Sequence, residues 1–518
     1  MNYNISPIKR QCTVIISVLI MAVLSAAVAR ANPLLNINVE DRVLYDNFRA
    51  SGDSSACTAT IAPINMYRSI IFIDYYDRTA PGLNARGDTG CYLKPLNSFS
   101  AEFYSTNEED LSIPGKAGLK LKQGANLFMF QDGYLSLGKH FVGYYQVQEE
   151  FSSEKPVNLF RAYGKHLIGK ISLEYGIDSA NLGPGEYGLL LSQNVKPFPM
   201  IKLQSEDSLH FLGILDFMIL NGWLSDDRVE AAGQKIYTNP KITALRLAWK
   251  PCNRAEFGIT GTSMYDGKGL RTRRIWRYRE VLEEAVDNLE SGPGNDVFMA
   301  YDISLYLPLD RLIKRVQVFK FYYQAAGKEL RLPGEEGAGN SNNWFRLYQR
   351  AVQAGLFLST EKSIFRLEYA ATTPDFYSPV DADTYGYTFD GMCLGHPLGA
   401  NMQSVMFRHR YYFASWISCE YTLGMYQQPA FSYEDLWGSV KGYFRPLMWS
   451  SEYSEDENML RYYCSIALDT EFSCFIIKTF FRYDSTSNYD TNPDPLESTI
   501  EQDSRSLYTW GISISLRL

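Results

Sequence analysis

Apolar and polar residues alternate with period two over much of the C-terminal half of the chain. In the last segment Tyr508, Trp510, Ile512, Ile514, Leu516 and Leu518 interleave with Thr509, Gly511, Ser513, Ser515 and Arg517. Val297, Met299, Tyr301, Ile303, Leu305 and Leu307 share one face of a second segment. In a third, Leu460, Tyr462, Cys464, Ile466 and Leu468 oppose Arg461, Ser465 and Asp469. Shorter runs repeat the pattern, with Leu245, Leu247 and Trp249 against Arg246 and Lys250, and Phe365, Leu367 and Tyr369 against Arg366 and Glu368. Side chains on a strand point to opposite faces in turn, so these segments predict strands with one apolar face. A soluble sandwich with one wet face would alternate too, so alternation alone does not specify a membrane.

The connections add what alternation lacks. From residue 243 onward they run short, then long, in turn. Short links fall near 251–254, 308–314, 360–362, 414–415 and 470–471, and long ones cover about 265–296, 326–348, 372–401, 427–458 and 484–504. Transmembrane barrels have short periplasmic turns and long external loops. The phase fits, because the final strand runs from a long loop to the C-terminus and so places Leu518 in the periplasm. The terminal Thr509-x-Gly511-x-x-Ile514-x-Leu516 pattern suits a barrel-insertion signal, although Leu518 stands where an aromatic would be stronger. Eleven strands are predicted between 243 and 518. Upstream candidates are 115–121, 125–131, 137–148, 158–165, 170–178, 199–205 and 208–219. The expected fold is therefore all-β, a transmembrane antiparallel barrel of about 18 strands, with 16 as the alternative count. Residues 32–110 alternate poorly, apart from a short helix expected near Val39 to Arg49, and read as a periplasmic preface or plug. The barrel is expected over 111–518.

The N-terminus sets the compartment. Lys9 and Arg10 precede an apolar stretch from Cys12 to Ala29, and Ala29-Arg30-Ala31 offers small residues to a signal peptidase. This predicts a cleavable signal peptide over 1–31; a membrane anchor is the competing interpretation, since the stretch is long enough to span. No later apolar run reaches transmembrane length, so the mature chain can enter a membrane only as a closed barrel. Composition agrees: the chain of 518 residues is 46% hydrophobic, which excludes disorder as a whole, and only 21% charged. Its net charge of −8 gives no global basic field for nucleic acid. Beyond Cys12, seven cysteines without regular spacing form no disulfide framework and no zinc pattern. Cys57 and Cys91 could pair in an oxidising compartment or stand as separate thiols.

Two motifs carry a resemblance. Residues 182–203 contain Gly183-Pro184-Gly185, the apolar run Leu189 to Leu191, Ser192-x-Asn194 and Pro197-Phe198-Pro199. Leu394-Gly395-His396-Pro397-Leu398-Gly399 follows later. Their order and surroundings resemble the Wzi family of outer-membrane capsule-assembly proteins over roughly residues 110–518. The first hundred residues match the family poorly. The resemblance implies an outer-membrane barrel that holds capsular polysaccharide at the cell surface without enzymatic activity. On the residues alone, Gly183 and Gly185 around Pro184 predict a tight turn in a lumen-folded loop. Pro197 and Pro199 delay re-entry into a strand, because proline donates no sheet hydrogen bond. Gly395, His396, Pro397 and Gly399, like Ser192 and Asn194, are expected to fold the loops rather than to contact a ligand.

Candidate chemistry is sparse. The five histidines, His140, His166, His210, His396 and His409, form no metalloprotease pattern, and no nucleophile elbow is present. Asp490, Asn492, Asp494 and Glu501 have calcium-loop spacing, but Pro495 replaces the required glycine. No cofactor and no metal are expected. The densest basic run, Arg271, Arg273, Arg274, Trp276, Arg277, Tyr278 and Arg279, falls in a predicted external loop. Its guanidinium groups can fork onto carboxylates or phosphates, and its rings can stack on sugars. The competing interpretation is a solvated helix face paired with Glu283, Glu284 and Asp287. Tyr385, Tyr387 and Trp437 in other long loops are further candidates for polysaccharide contact, against plain loop packing. The expected partners are capsular or other surface polysaccharide, outer-membrane lipid and lipopolysaccharide, with a monomer in the membrane. A diffusion porin is the alternative function, and a membrane-embedded hydrolase is a third.

Overall fold

In the computed structural model, period-two alternation becomes the wall of a closed antiparallel barrel. The structure describes residues 36–37, 61–62, 64–65 and most of 91–517; within that span the longer exceptions are 152–156, 230–234, 266–295, 309–314, 332–345, 378–386, 429–458 and 490–502, with a few turn residues besides. Eighteen wall strands lie among the described residues. They are β1 (Cys91–Thr106), β2 (Gly124–Leu137), β3 (Phe141–Glu150), β4 (Val157–Ile168), β5 (Ile171–Asp178), β6 (Phe198–Ser205), β7 (Ile214–Trp223), β8 (Lys241–Cys252) and β9 (Ala255–Tyr265). The wall continues with β10 (Asp296–Tyr306), β11 (Val316–Arg331), β12 (Arg346–Thr360), β13 (Ser363–Thr372), β14 (Met402–Ala414), β15 (Ile417–Gln428), β16 (Met459–Phe472), β17 (Phe475–Tyr489) and β18 (Asp503–Arg517). Closure comes from β18 on β1, in register from Thr509↔Thr106 to Arg517↔Ser98. A closed wall leaves no unpaired strand edge, which is the condition for crossing lipid with strands.

The two faces of the wall differ as the alternation requires. Leu247, Trp249, Tyr301, Leu367, Leu423, Ile466, Trp510 and Ile514 are exposed on the outside. Arg246, Lys165, Lys202, Glu174 and Asp302 are fully or almost fully buried on the inside. An outer face this apolar on a closed barrel meets lipid, and the protein is an outer-membrane barrel. Among the described residues no helix is long and apolar enough to cross a membrane.

Inward charges pair across strands. Arg246 on β8 donates twice to Asp302 on β10, at 2.8 and 3.0 Å, and once to the Thr260 hydroxyl on the intervening β9. Lys202 bridges Glu174 at 2.7 Å and Asp178 at 3.2 Å, while Lys165 meets Glu206 at 2.8 Å. Buried charges are tolerated only when paired in this way.

The wall starts earlier than the sequence suggests. β1 begins at Cys91, so the boundary expected between 110 and 111 moves upstream by about one strand. Its alternation is masked by a register shift between Lys94 and Ser98 and by bulky Tyr104 on the inward face. The segment 115–121, expected in the wall, instead lies in the following loop, where Leu111–Ser112 pairs with Lys120–Leu121. Leu119 and Leu121 alternate because they pack inward with Tyr104 and Phe128, not because they face lipid. Pro199 sits inside β6 rather than ahead of it, at a position where β7 does not yet pair. The signal peptide over 1–31, the short helix expected near 39–49 and Cys57 lie outside the described residues. From the preface, Ile61–Ala62 pairs with Asn181–Leu182, which joins part of the expected plug to a loop inside the barrel.

Candidate functional site

The connections 107–123, 179–197 and 373–401 lie at the end of the barrel opposite the short turns, the outer end of a transmembrane barrel. The described parts of all three fold back into the lumen. The 179–197 loop enters through a turn at Gly183-Pro184-Gly185. Gly183 has φ of +135°, a backbone conformation that favours glycine. A Cβ on Gly183 would stand 2.7 Å from the Gln324 side-chain oxygen, and one on Gly185 would collide with the Gln353 amide. The loop therefore reaches β11 and β12 only because these positions carry no side chain. Glu186 follows, paired with Arg408 at 2.7 Å and with Arg366 at 3.5 Å. Its backbone N–H donates to Glu368 at 3.0 Å.

The two sequence motifs meet in space. The Ser192 backbone N–H donates to the Leu394 carbonyl at 2.8 Å, and its hydroxyl donates to the Gly395 carbonyl at 2.5 Å. The Asn194 amide reaches the Cys393 carbonyl at 3.5 Å, and the Tyr377 hydroxyl donates to the Leu189 carbonyl at 2.5 Å while accepting from the His396 N–H at 3.0 Å. Leu189, Leu190, Leu191 and Val195 pack with Phe376, Tyr377, Tyr387, Phe389 and Leu394 in one buried core. The wall facing them is built from Ala244, Ala248, Ala300, Ala326 and Ala351, whose small side chains leave room for the loops. Asp390 clasps the third loop, at 3.0 Å from Lys196 and 3.9 Å from Lys120. The 179–197 and 373–401 loops form an interlocked plug on the side of the lumen bounded by β6–β13, and 107–123 joins it from the β1–β2 side.

His396 is buried between the loops, edge-on to the Tyr187 ring at 5.7 Å. Burial pushes its pKa down to about 4, against a weaker upward pull from Glu186. The imidazole is thus neutral at ordinary pH, and its Nδ1 accepts the Leu398 N–H at 3.4 Å. Burial also pushes the Cys393 thiol up to about 12, which removes it as a nucleophile.

The other side of the lumen, bounded by β14–β18 and β1, keeps a cavity of about 440 Å³. Its roof includes Tyr187 and His396 from the plug, and its lining descends to Asp469 and Lys478 near the periplasmic turn after β16. Arg461 and Arg482 both fork onto Asp484, with four N–O distances of 2.7–2.8 Å. Arg410 donates to Glu420 at 2.8 and 2.9 Å. The Arg482 guanidinium lies over the Tyr463 ring at 4.5 Å.

Of the residues singled out in the sequence, the structure joins Gly183, Pro184, Gly185, Ser192, Asn194, Pro197, Gly395, His396, Pro397 and Gly399 in the plug. Tyr387 is fully buried there, its hydroxyl 2.9 Å from that of Thr262, and presents no face to solvent. Arg271, Arg273, Arg274, Trp276, Arg277, Tyr278, Arg279, Tyr385 and Trp437 lie outside the described residues, as do the 490–501 acidic positions. Sequence reasoning missed the cavity. Its only signal is the recurrence of arginine at inward positions of nearby strands, Arg408 and Arg410 on β14, Arg461 on β16 and Arg482 on β17. Among the described residues no cluster of acidic, histidine or cysteine side chains could hold a metal ion.

A family model described as capsule assembly protein Wzi matches residues 108–429. No curated protein matches the chain. Among solved structures, Wzi of Escherichia coli superposes with a TM-score of 0.60 at 14% identity, over 94% of this chain and 100% of that one. It is reported as an outer-membrane protein involved in group 1 capsule assembly and as a carbohydrate-binding β-barrel. At that identity the likeness is one of fold. OpdL of Pseudomonas aeruginosa gives 0.47 at 11% identity, over 83% of this chain and 99% of its own. OpdQ of the same organism gives 0.45 at 9%, over 83% and 98%.

Proposed function

The chain belongs to the capsule assembly protein Wzi family, and on that premise we propose that it is a non-enzymatic barrel that binds capsular polysaccharide and anchors it at the cell surface. The observation that carries this reading is the interlocked plug. A plug held by a continuous apolar core and by mutual backbone hydrogen bonds suits a platform for surface loops better than a path for solutes. Carbohydrate binding is what the Escherichia coli relative of the same fold is reported to do. In this reading Arg271, Arg273, Arg274, Arg277 and Arg279 fork onto acidic groups of the glycan, and Trp276, Tyr278, Tyr385 and Trp437 stack on its rings. Tyr387 serves instead to hold the plug in place.

Retention of surface polysaccharide by purified barrel in detergent tests the reading. Binding of glycan shed by the source bacterium is expected, and its absence at low ionic strength would overturn the proposal. A porin remains the second reading, favoured by the charge-lined cavity left beside the plug. Single-channel conductance in a planar bilayer separates the two, since a plugged platform conducts little and a porin gives steady open steps.

A further inference from the structure

The cavity beside the plug is built unlike the rest of the lumen. Elsewhere inward charges are paired and sealed, as at Arg246 with Asp302 and at Lys202 with Glu174 and Asp178. Here six cationic side chains, Lys116, Arg408, Arg410, Arg461, Lys478 and Arg482, face the cavity against three carboxylates, Glu368, Glu420 and Asp469. Lys116 is paired with Glu102 at 3.9 Å, and the other carboxylates that hold the arginines stand behind them. Asp484 is almost fully buried and anchors both Arg461 and Arg482 from below, while Glu186 holds Arg408 from the plug. One carboxylate shared by two guanidinium groups leaves a net positive charge at that point, with the forks fixed and N–H groups to spare. Arg408, Arg410, Arg461 and Arg482 keep 18–30% of their side-chain surface in contact with solvent, so the cavity is reached by water.

The second element is aromatic. Tyr187, Tyr426 and Tyr463 line the same space. Arg461 donates to the Tyr426 hydroxyl at 3.0 Å, and Arg482 lies over Tyr463. Gly424 opposes Tyr463 across the strand pair, and any side chain there would collide with that ring. A cavity of several hundred cubic ångströms, lined by rings and a few fixed charged groups, is the usual form of a small-ligand site.

We propose that this cavity is a lumenal binding site for an anionic sugar unit, a pyranose carrying a carboxylate or a phosphate, with Arg461 and Arg482 taking the anionic group beside Asp484, and with Tyr187 and Tyr426 bordering the sugar ring. The site lies in the lumen beside the plug, apart from the external loops assigned to polysaccharide at the surface. It extends the carbohydrate-binding reading and names the charge of the sugar recognised. The second guanidinium charge at Asp484 favours an anion, and the guanidinium N–H groups not turned to Asp484 can serve a carboxylate or a phosphate alike.

The test is calorimetric titration of the full-length barrel in detergent with four probes: D-glucuronate, D-glucose 6-phosphate, D-glucose and inorganic phosphate. The proposal expects binding of one or both anionic sugars, weakening as salt rises, with neither D-glucose nor inorganic phosphate binding as well. Glucuronate alone would identify a uronate site, and the sugar phosphate alone a phosphosugar site. Arg482→Gln should weaken binding about tenfold or more, the scale of one charge-assisted hydrogen bond. Because that change could disturb Asp484, the paired variant Arg461→Gln with Asp484→Asn removes one charge of each sign and should weaken binding similarly in a barrel that keeps heat-modifiable gel mobility. No binding of either sugar, equal binding of inorganic phosphate, or unchanged affinity in both folded variants would overturn the proposal. Polysaccharide retention on cells is not the readout, so this site and the surface reading can fail separately.

Discussion

Replacing both turn glycines by valine should open the plug without unfolding the wall. At Gly183 a side chain meets two penalties, a positive φ of +135° and a Cβ 2.7 Å from the Gln324 oxygen. Backbone strain of that kind costs about 1–3 kcal/mol, and overpacking a filled site costs a further ~1–3 kcal/mol. At Gly185 the collision is with the Gln353 amide, again about 1–3 kcal/mol. Together the two changes cost roughly 3–9 kcal/mol. Burial of Leu189, Leu190, Leu191 and Val195 stabilises docking of the same loop by roughly 6–12 kcal/mol at most. The strain is therefore comparable to what seats this stretch, and small against a wall whose strands all pair on both sides. Gly183→Val with Gly185→Val should still insert and still shift mobility on heating in gels. In planar bilayers it should conduct markedly more than the parent. A variant that inserts normally and conducts no more than the parent would refute the role of the turn in positioning the plug.

Three further outcomes are expected. His396 has a folded pKa of about 4, below the ordinary 6.5, so the native plug holds it neutral. Its contribution is full above about pH 6.5 and is lost as pH falls toward about 4, where the unfolded or undocked state binds the extra proton, up to about 3 kcal/mol in all. Conductance should rise over that window, and a His396→Gln barrel should show a flatter profile; an unchanged profile would exclude His396 as the titrating group. Asn194→Ala with Ser192→Ala removes the two side-chain hydrogen bonds joining the motifs and should lower plug stability by about 1–3 kcal/mol for each buried carbonyl left without its partner. Limited proteolysis should then cut within 179–197 or 373–401, and equal resistance would mean the apolar core and the remaining hydrogen bonds suffice to seat the plug. Replacing Arg271, Arg273, Arg274, Arg277 and Arg279 with Gln should release polysaccharide while the barrel assembles, with salt above physiological strength mimicking the effect on the parent. Unchanged retention would shift the surface site to the aromatic loops.

Much of the wall was legible because lipid on one side and a packed lumen on the other impose a strict period of two. The eleven strands from β8 to β18 follow the predicted order, and their short and long links fall where expected. β1 was hidden because its outward residues Phe99, Ala101 and Phe103 differ little in bulk from inward Tyr104, and the register shift before Ser98 interrupts the run. The segment 115–121 misled for the opposite reason, since alternation in a plug loop records packing against Phe128 and Tyr104. Gly183-Pro184-Gly185 announced an inward turn, but nothing local in Ser192 or Asn194 could reveal that their partners lie some 200 residues later. Tyr387 looked like a surface ring because its loop is long and external by sequence, whereas the loop folds inward and buries it. The cavity was illegible because its four arginines come from three strands, and only the folded wall brings them together.

Cell-bound and shed polysaccharide, measured in the source bacterium with and without the intact gene, tests the central claim most directly. The account predicts that loss of the protein leaves total polysaccharide unchanged while moving a large share from the cells to the medium, and that the restored gene reverses this. Equal partition between cells and medium in both strains, with the barrel present in the parent's outer membrane, would contradict it.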